Sequence, residues 1–167
     1  MGSSVPIEAA TEEIEHDVWE AGNALLRPPS SPDELLKLLN KAEGILSGIC
    51  QEPSISTAKA ILPMMNALIS DEIFKHSDGN VQVAVASCLN ELTRITAPDY
   101  SYSDELMQDI FKLFMTALKQ LPRGTGMNLS RAENILNTMA TIRTGVMMWD
   151  LELDDMVVEM FELFFDT

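Results

Sequence analysis

The chain has 167 residues, 46% hydrophobic and 22% charged, long enough for one domain that buries about 70% of its unfolded surface. Its 26 acidic and 11 basic side chains give a formal charge of −15, which sets the surface against a phosphate backbone and an anionic membrane alike. Direct nucleic-acid binding and a membrane partner are therefore disfavoured, and no apolar run reaches the ~18–20 residues of a membrane span. The N-terminus is acidic and lacks an apolar core segment, so no signal peptide is expected.

The first predicted element runs from Ile7 to Leu26. Ile7, Ile14, Val18, Ala21 and Leu25 recur at helical spacing, and Glu8, Glu12, Glu13, Glu15, Asp17 and Glu20 make an acidic opposite face. Arg27-Pro28-Pro29-Ser30 breaks the helix. Residues 1–30 thus read as an amphipathic helix with a Pro-rich break, followed by helical repeats over 31–167 that form one continuous domain with it. Ser31-Pro32-Asp33-Glu34 is a capping box with proline at the first helical position. It opens a second helix with the inward stripe Leu35, Leu38, Leu39, Ala42, Ile45, Leu46 and Ile49.

A third helix is predicted from about Ser56 to Ile69, with Pro63 either kinking it or marking its first turn. Asp71 is placed to cap a short turn through Ile73 and Phe74. The next helix is apolar on nearly every side, with Val81, Val83, Ala84, Val85, Ala86, Cys88, Leu89, Leu92 and Ile95. Such a helix belongs between neighbours. It should stop near Ala97, because Pro98 disfavours α geometry in the residue before it. Ser103 is positioned to cap a helix from about Asp104 to Leu121 that buries Leu106, Ile110, Leu113, Phe114, Ala117, Leu118 and Leu121. Beyond the loop Pro122–Gly126, Ser130-Arg131-Ala132-Glu133 is a second capping box, opening a helix with Ile135, Leu136, Met139, Ile142, Val146 and Met147 inward. A last helix, Met156 to Phe165, is apolar nearly all round, as an internal repeat awaiting a neighbour would be. No stretch alternates with the period of a strand.

The fold class read from this pattern is all-α, as a bundle or as stacked antiparallel hairpins. Two features favour the stack: the apolar last helix, and the run Asp78-Gly79-Asn80-Val81 through Leu89. That run resembles the second helix of HEAT repeats, D-x-x-V-R-x-x-A-x-x-x-x-L, with Gln82 in place of the usual Arg.

No constellation supports catalysis, a metal or another cofactor. His16 and His76 lack ligand-spaced partners, and His76 suits a helix end. Asp150, Glu152, Asp154 and Asp155 lack the glycine and distal acid of a calcium loop. Gly124-Thr125-Gly126 is not followed by the Gly-Lys-Ser/Thr of a phosphate loop. Cys50 and Cys88 fall on apolar faces, which suits buried thiols in a reducing compartment.

Both tyrosines, Tyr100 and Tyr102, sit in the turn Ala97-Pro98-Asp99-Tyr100-Ser101-Tyr102. Asp99 on a proline-fixed turn can pair with a ligand arginine, and the tyrosines offer contact area at low entropy cost. The plainer reading is that Pro-Asp is a good turn wherever helices are joined.

Thr93-Arg94-Ile95-Thr96-Ala97-Pro98-Asp99, preceded by Val83-Ala84-Val85-Ala86-Ser87-Cys88, resembles the N-terminal HEAT region of the Pds (precocious dissociation of sisters) cohesin-associated proteins. Leu35 to Ala42, Phe74-Lys75-His76, Tyr102-Ser103-Asp104, and Asp150-Leu151-Glu152 leading to Glu159-Met160-Phe161 match in the same order. The resemblance covers about Leu35 to Phe165 and is similar in style to the plant branch. It implies a non-catalytic helical scaffold that regulates cohesin in sister-chromatid cohesion in the nucleus, touching the cohesin complex indirectly. It also implies a docking site for short basic peptides of the release factor Wapl or of other cohesin regulators. The family's Ala-Pro-Asp-Ala-Pro motif falls on Ala97, Pro98 and Asp99, with Tyr100 and Ser101 where the family has Ala and Pro. The implied peptide-binding residues are Ala97, Pro98, Asp99, Tyr100 and Tyr102. Loss of the second proline loosens the loop, and Tyr100 has bulk enough to fill the peptide's place. A purely structural segment of a longer HEAT scaffold is the alternative.

Overall fold

A computed structural model describes residues 7–96, 102–120 and 133–139. They form α1 (Ile7–Leu26), α2 (Pro32–Ser47), α3 (Ile55–Leu68), the single turn α4 (Asp71–Phe74), α5 (Gly79–Thr96), α6 (Asp104–Gln120) and α7 (residues 133–139). There is no strand among the described residues. The predicted helix from Met156, the acidic junction Asp150–Asp155 and the glycines Gly124 and Gly126 lie outside them.

Helix starts follow the sequence signals. The Ser31 hydroxyl accepts the Glu34 N–H at 3.4 Å and Pro32 occupies the first turn of α2. Ser54 does the same for Thr57 at the start of α3, at 3.3 Å. Ser103 accepts from the Leu106 N–H at 3.3 Å, as its place before α6 predicts. At α5 the cap is Asp78, whose Oδ1 takes the N–H groups of Asn80 and Val81 at 2.9 and 3.1 Å. A carboxylate there satisfies two orphan donors and faces the positive end of the helix. Asp71, expected as a cap, is instead the first residue inside α4, with Ser70 in the cap position. Pro63 is in the interior of α3.

The helices form two layers. Glu15 on α1 meets Ser56 and Thr57 on α3, while seven residues later Gly22 meets Pro63 and Met64. Both pairs advance together, so α1 and α3 run parallel and side by side. A Cβ at Gly22 would stand 2.5 Å from the Met64 nitrogen and 2.9 Å from the Pro63 carbonyl carbon, so only glycine admits this crossing. The second layer repeats the rule. Cys88 Sγ donates to the Leu39 carbonyl at 3.3 Å and Arg94 Nη2 to the Leu46 carbonyl at 3.0 Å, which makes α2 and α5 parallel neighbours. Parallel helices within each layer, joined by hairpins between layers, are the HEAT-like stack expected from the sequence.

The core lies between the layers. Val18, Leu25, Leu35, Leu39, Leu46, Met64, Leu68, Leu89, Leu92, Phe111 and Phe114 are fully buried in it. Helix α5 is enclosed as its all-round apolar pattern predicts, and it also carries Ser87, Asn90 and Thr93 into the interior. The Thr93 hydroxyl is satisfied by the Leu89 carbonyl at 2.9 Å. One expectation fails: Cys50 is exposed, because α2 ends at Ser47 and the thiol projects from the linker beyond it. Cys88 is buried. No helix among the described residues is long and apolar enough to cross a membrane.

Candidate functional site

The turn singled out by the sequence is bracketed by α5 and α6. Helix α5 closes at Thr96, one residue before the stop expected from Pro98, and the Thr96 hydroxyl folds back onto the Leu92 carbonyl at 3.0 Å. The Ile95 carbonyl, orphaned at the helix end, accepts the Glu52 N–H at 3.1 Å. Glu52 reaches it with a positive φ of 55°, a backbone state that non-glycine residues seldom adopt. The linker between α2 and α3 is therefore pinned to the last turn of α5. Ala97, Pro98, Asp99 and Tyr100, four of the five predicted peptide-binding residues, lie outside the described residues.

Tyr102 is the fifth, and its place is clear. The hydroxyl donates to the Met65 carbonyl at 2.9 Å, one of the last four carbonyls of α3, which have no onward helix to bond. The ring is part-buried against the core. Burial raises the phenol pKa well above its ordinary 10.0, so Tyr102 is a neutral donor at any physiological pH. Ser103 then starts α6. Tyr102 is thus tied to α3 by its phenol, and Ser103 beside it to α6 by its cap.

Two features escaped sequence reasoning. Glu15 was read as part of a solvated acidic face. Its Oε1 instead accepts from Ser56 Oγ at 2.6 Å and Thr57 Oγ1 at 2.8 Å, and these two bonds hold its pKa below the usual 4.5. A carboxylate aimed at the first turn of a neighbouring helix also meets the positive end of its dipole. The second is the polar group Ser87 and Asn90 inside α5, visible in sequence as polar residues three apart in an apolar helix. Among the described residues no three His, Cys, Asp or Glu converge as a metal set.

With this geometry established, comparison with known proteins settles the lineage. The family described as "Sister chromatid cohesion protein PDS5 protein" matches residues 33–167. The chain belongs to the PDS5 family. It is 42% identical over 153 residues to PDS5 homolog C of Arabidopsis thaliana, covering 92% of this chain and 18% of that protein. PDS5 homolog A of the same plant is 44% identical over 153 residues, covering 92% of this chain and 10% of that one. Fission-yeast pds5 is 26% identical over 139 residues, which agrees with the plant-like style of the sequence. Among solved structures, the Pds5–Scc1 complex matches with a TM-score of 0.63 at 26% identity, over 83% of this chain and 22% of that one. The chain therefore spans less than a fifth of the length of these plant relatives. Its helical stack is the HEAT-like fold expected of that family.

Proposed function

We propose that the chain is a non-catalytic interaction module of a nuclear cohesin regulator, and that it docks short basic peptides of the Wapl type, or of other cohesin regulators, at the turn from Ala97 to Tyr102. The observation that carries the reading is the anchoring of that turn. Its entry is tied through Ile95 to Glu52 and its exit through Tyr102 to Met65. Anchored ends reduce the ordering cost that a loop incurs on binding. The chain's net charge of −15 draws basic segments toward it. Scc1, named with the solved relative, extends the proposal to the cohesin complex, which this module would touch indirectly.

A second reading has its own support. The Tyr102 hydroxyl is already committed to Met65, and the segment is a small share of its relatives, as expected of a structural piece of a longer scaffold. Calorimetric titration of a Wapl-derived Tyr-Ser-Arg peptide separates the two. Saturable binding that Asp99→Ala abolishes supports docking at the turn. Absence of binding to the folded wild type leaves the scaffold reading.

A further inference from the structure

Four large hydrophobic side chains stand in solvent among the described residues: Trp19 at 51% exposure, Leu26 at 45%, Ile55 at 77% and Leu62 at 50%. All four belong to α1 or α3, and none to another helix. Single exposed apolar residues are ordinary on any surface, whereas exposed apolar residues gathered on one face mark interaction sites. Val18, Ala21 and Leu25 on α1, with Ile61, Met64 and Leu68 on α3, turn the opposite sides of both helices into the core. The exposed four therefore share the outer side of the α1–α3 layer.

Helical spacing and the register between the two helices set their arrangement. Trp19 lies four residues after Glu15 and three before Gly22, both of which meet α3, and Leu26 lies four after Gly22. Residues three and four apart are neighbours on a helix surface, so Trp19 and Leu26 border the seam. Glu15 meets Ser56 and Gly22 meets Pro63, which puts Leu62 level with Ala21 and within one turn of Trp19. Ile55, level with Ile14, and Leu26 extend the set in opposite directions. It runs about 18 Å along the helices, the length of a helical ligand of roughly 12 residues. Backbone contact at Gly22 holds α1 and α3 at a fixed separation, so the face is formed before a ligand arrives.

The rim sets the charge of the occupant. Glu12 falls seven residues before Trp19 on the same stripe, and Glu12, Glu13 and Glu20 are all exposed. Helix α1 has no Lys or Arg, and Lys59 is the only charged residue of α3. An apolar strip beside a carboxylate rim fits a helix whose apolar anchors recur at three, four and seven residues and whose flanks carry Lys and Arg. A second copy of this chain, with its own charge of −15, would bring like charge to the rim, as would an anionic membrane.

We propose that the outer face of α1 and α3, centred on Trp19 and Leu62, docks a basic amphipathic helix of a partner protein, at a site separate from the turn after α5. The probe is a capped peptide of about 14 residues with leucines at heptad a and d positions and Lys and Arg elsewhere. Its control is a twin with Glu in place of every Lys and Arg. Both are titrated by calorimetry into the whole 167-residue chain at physiological salt. Saturable one-to-one binding of the basic helix is expected, with the acidic twin weaker by roughly tenfold or more. Trp19→Ala should weaken the basic helix by about tenfold and Leu62→Ser severalfold. Both variants should melt near the wild-type temperature, because neither side chain is buried. In a Trp149→Phe chain, whose one remaining tryptophan is Trp19, emission should move to shorter wavelength on binding. Equal affinity for wild type, Trp19→Ala and Leu62→Ser would reduce the contact to diffuse attraction by the acidic surface and overturn the site. So would absence of saturable binding, or a dimer seen by light scattering that Trp19→Ala dissociates, which would give the face to a second copy. Asp99→Ala, which tests the turn, should leave helix binding unchanged, so either site can fail without the other.

Discussion

Where α1 crosses α3, the backbones approach so closely that a single added methyl group has no room. Where α2 lies beside α5, the helices are equally parallel but the seam is built from large side chains, a thiol and a bridging arginine, and it holds a polar void. The first joint is closed by backbone contact and tolerates nothing. The second is closed by side chains, which can repack. Rigidity and plasticity are thus divided between the two seams of one fold.

Substitutions break this contrast in graded ways. Leu39→Ala removes a fully buried side chain from the second seam and should cost about 2–5 kcal/mol by urea denaturation. Gly22→Ala is the sharper test of the first. In an ordinary helix that change gains about 0.5–1 kcal/mol, but here the new Cβ meets backbone atoms that have no rotamer to change. Overpacking should win and destabilise by about 1–3 kcal/mol; a stabilised variant would mean that the crossing is looser than described.

Tyr102→Phe deletes the bond to Met65 and should cost about 1 kcal/mol at neutral pH. Its pH dependence gives a second check. The folded-state pKa is raised, so the contribution is complete below the ordinary value of 10.0 and is lost as pH rises toward the folded value. Wild type should therefore lose more stability than the phenylalanine variant on the alkaline side. Glu15→Gln is the mildest change. Its folded pKa is lowered, so its contribution is present above about 4.5 and is lost as pH falls through the folded value. The variant's acid denaturation curve should be flatter than wild type over that window.

Much of this architecture was legible beforehand. The caps at Ser31 and Ser103, the break after Leu26 and the burial of α5 all follow from short-range rules of spacing and hydrogen-bond supply. What stayed hidden depends on register between distant segments. Glu15 is indistinguishable from its acidic neighbours until Ser56 and Thr57, more than forty residues on, arrive beside it. Gly22 looks like a blemish in a helix until Pro63 is laid against it. Cys50 was misjudged because its burial depended on where α2 ended. The Met65 carbonyl that holds the Tyr102 hydroxyl left no trace in sequence either.

The tight crossing at Gly22 has a geometric corollary. With no side chain between the two backbones, neither α1 nor α3 can roll or slide past the other without driving main-chain atoms together, so the pair moves as one rod.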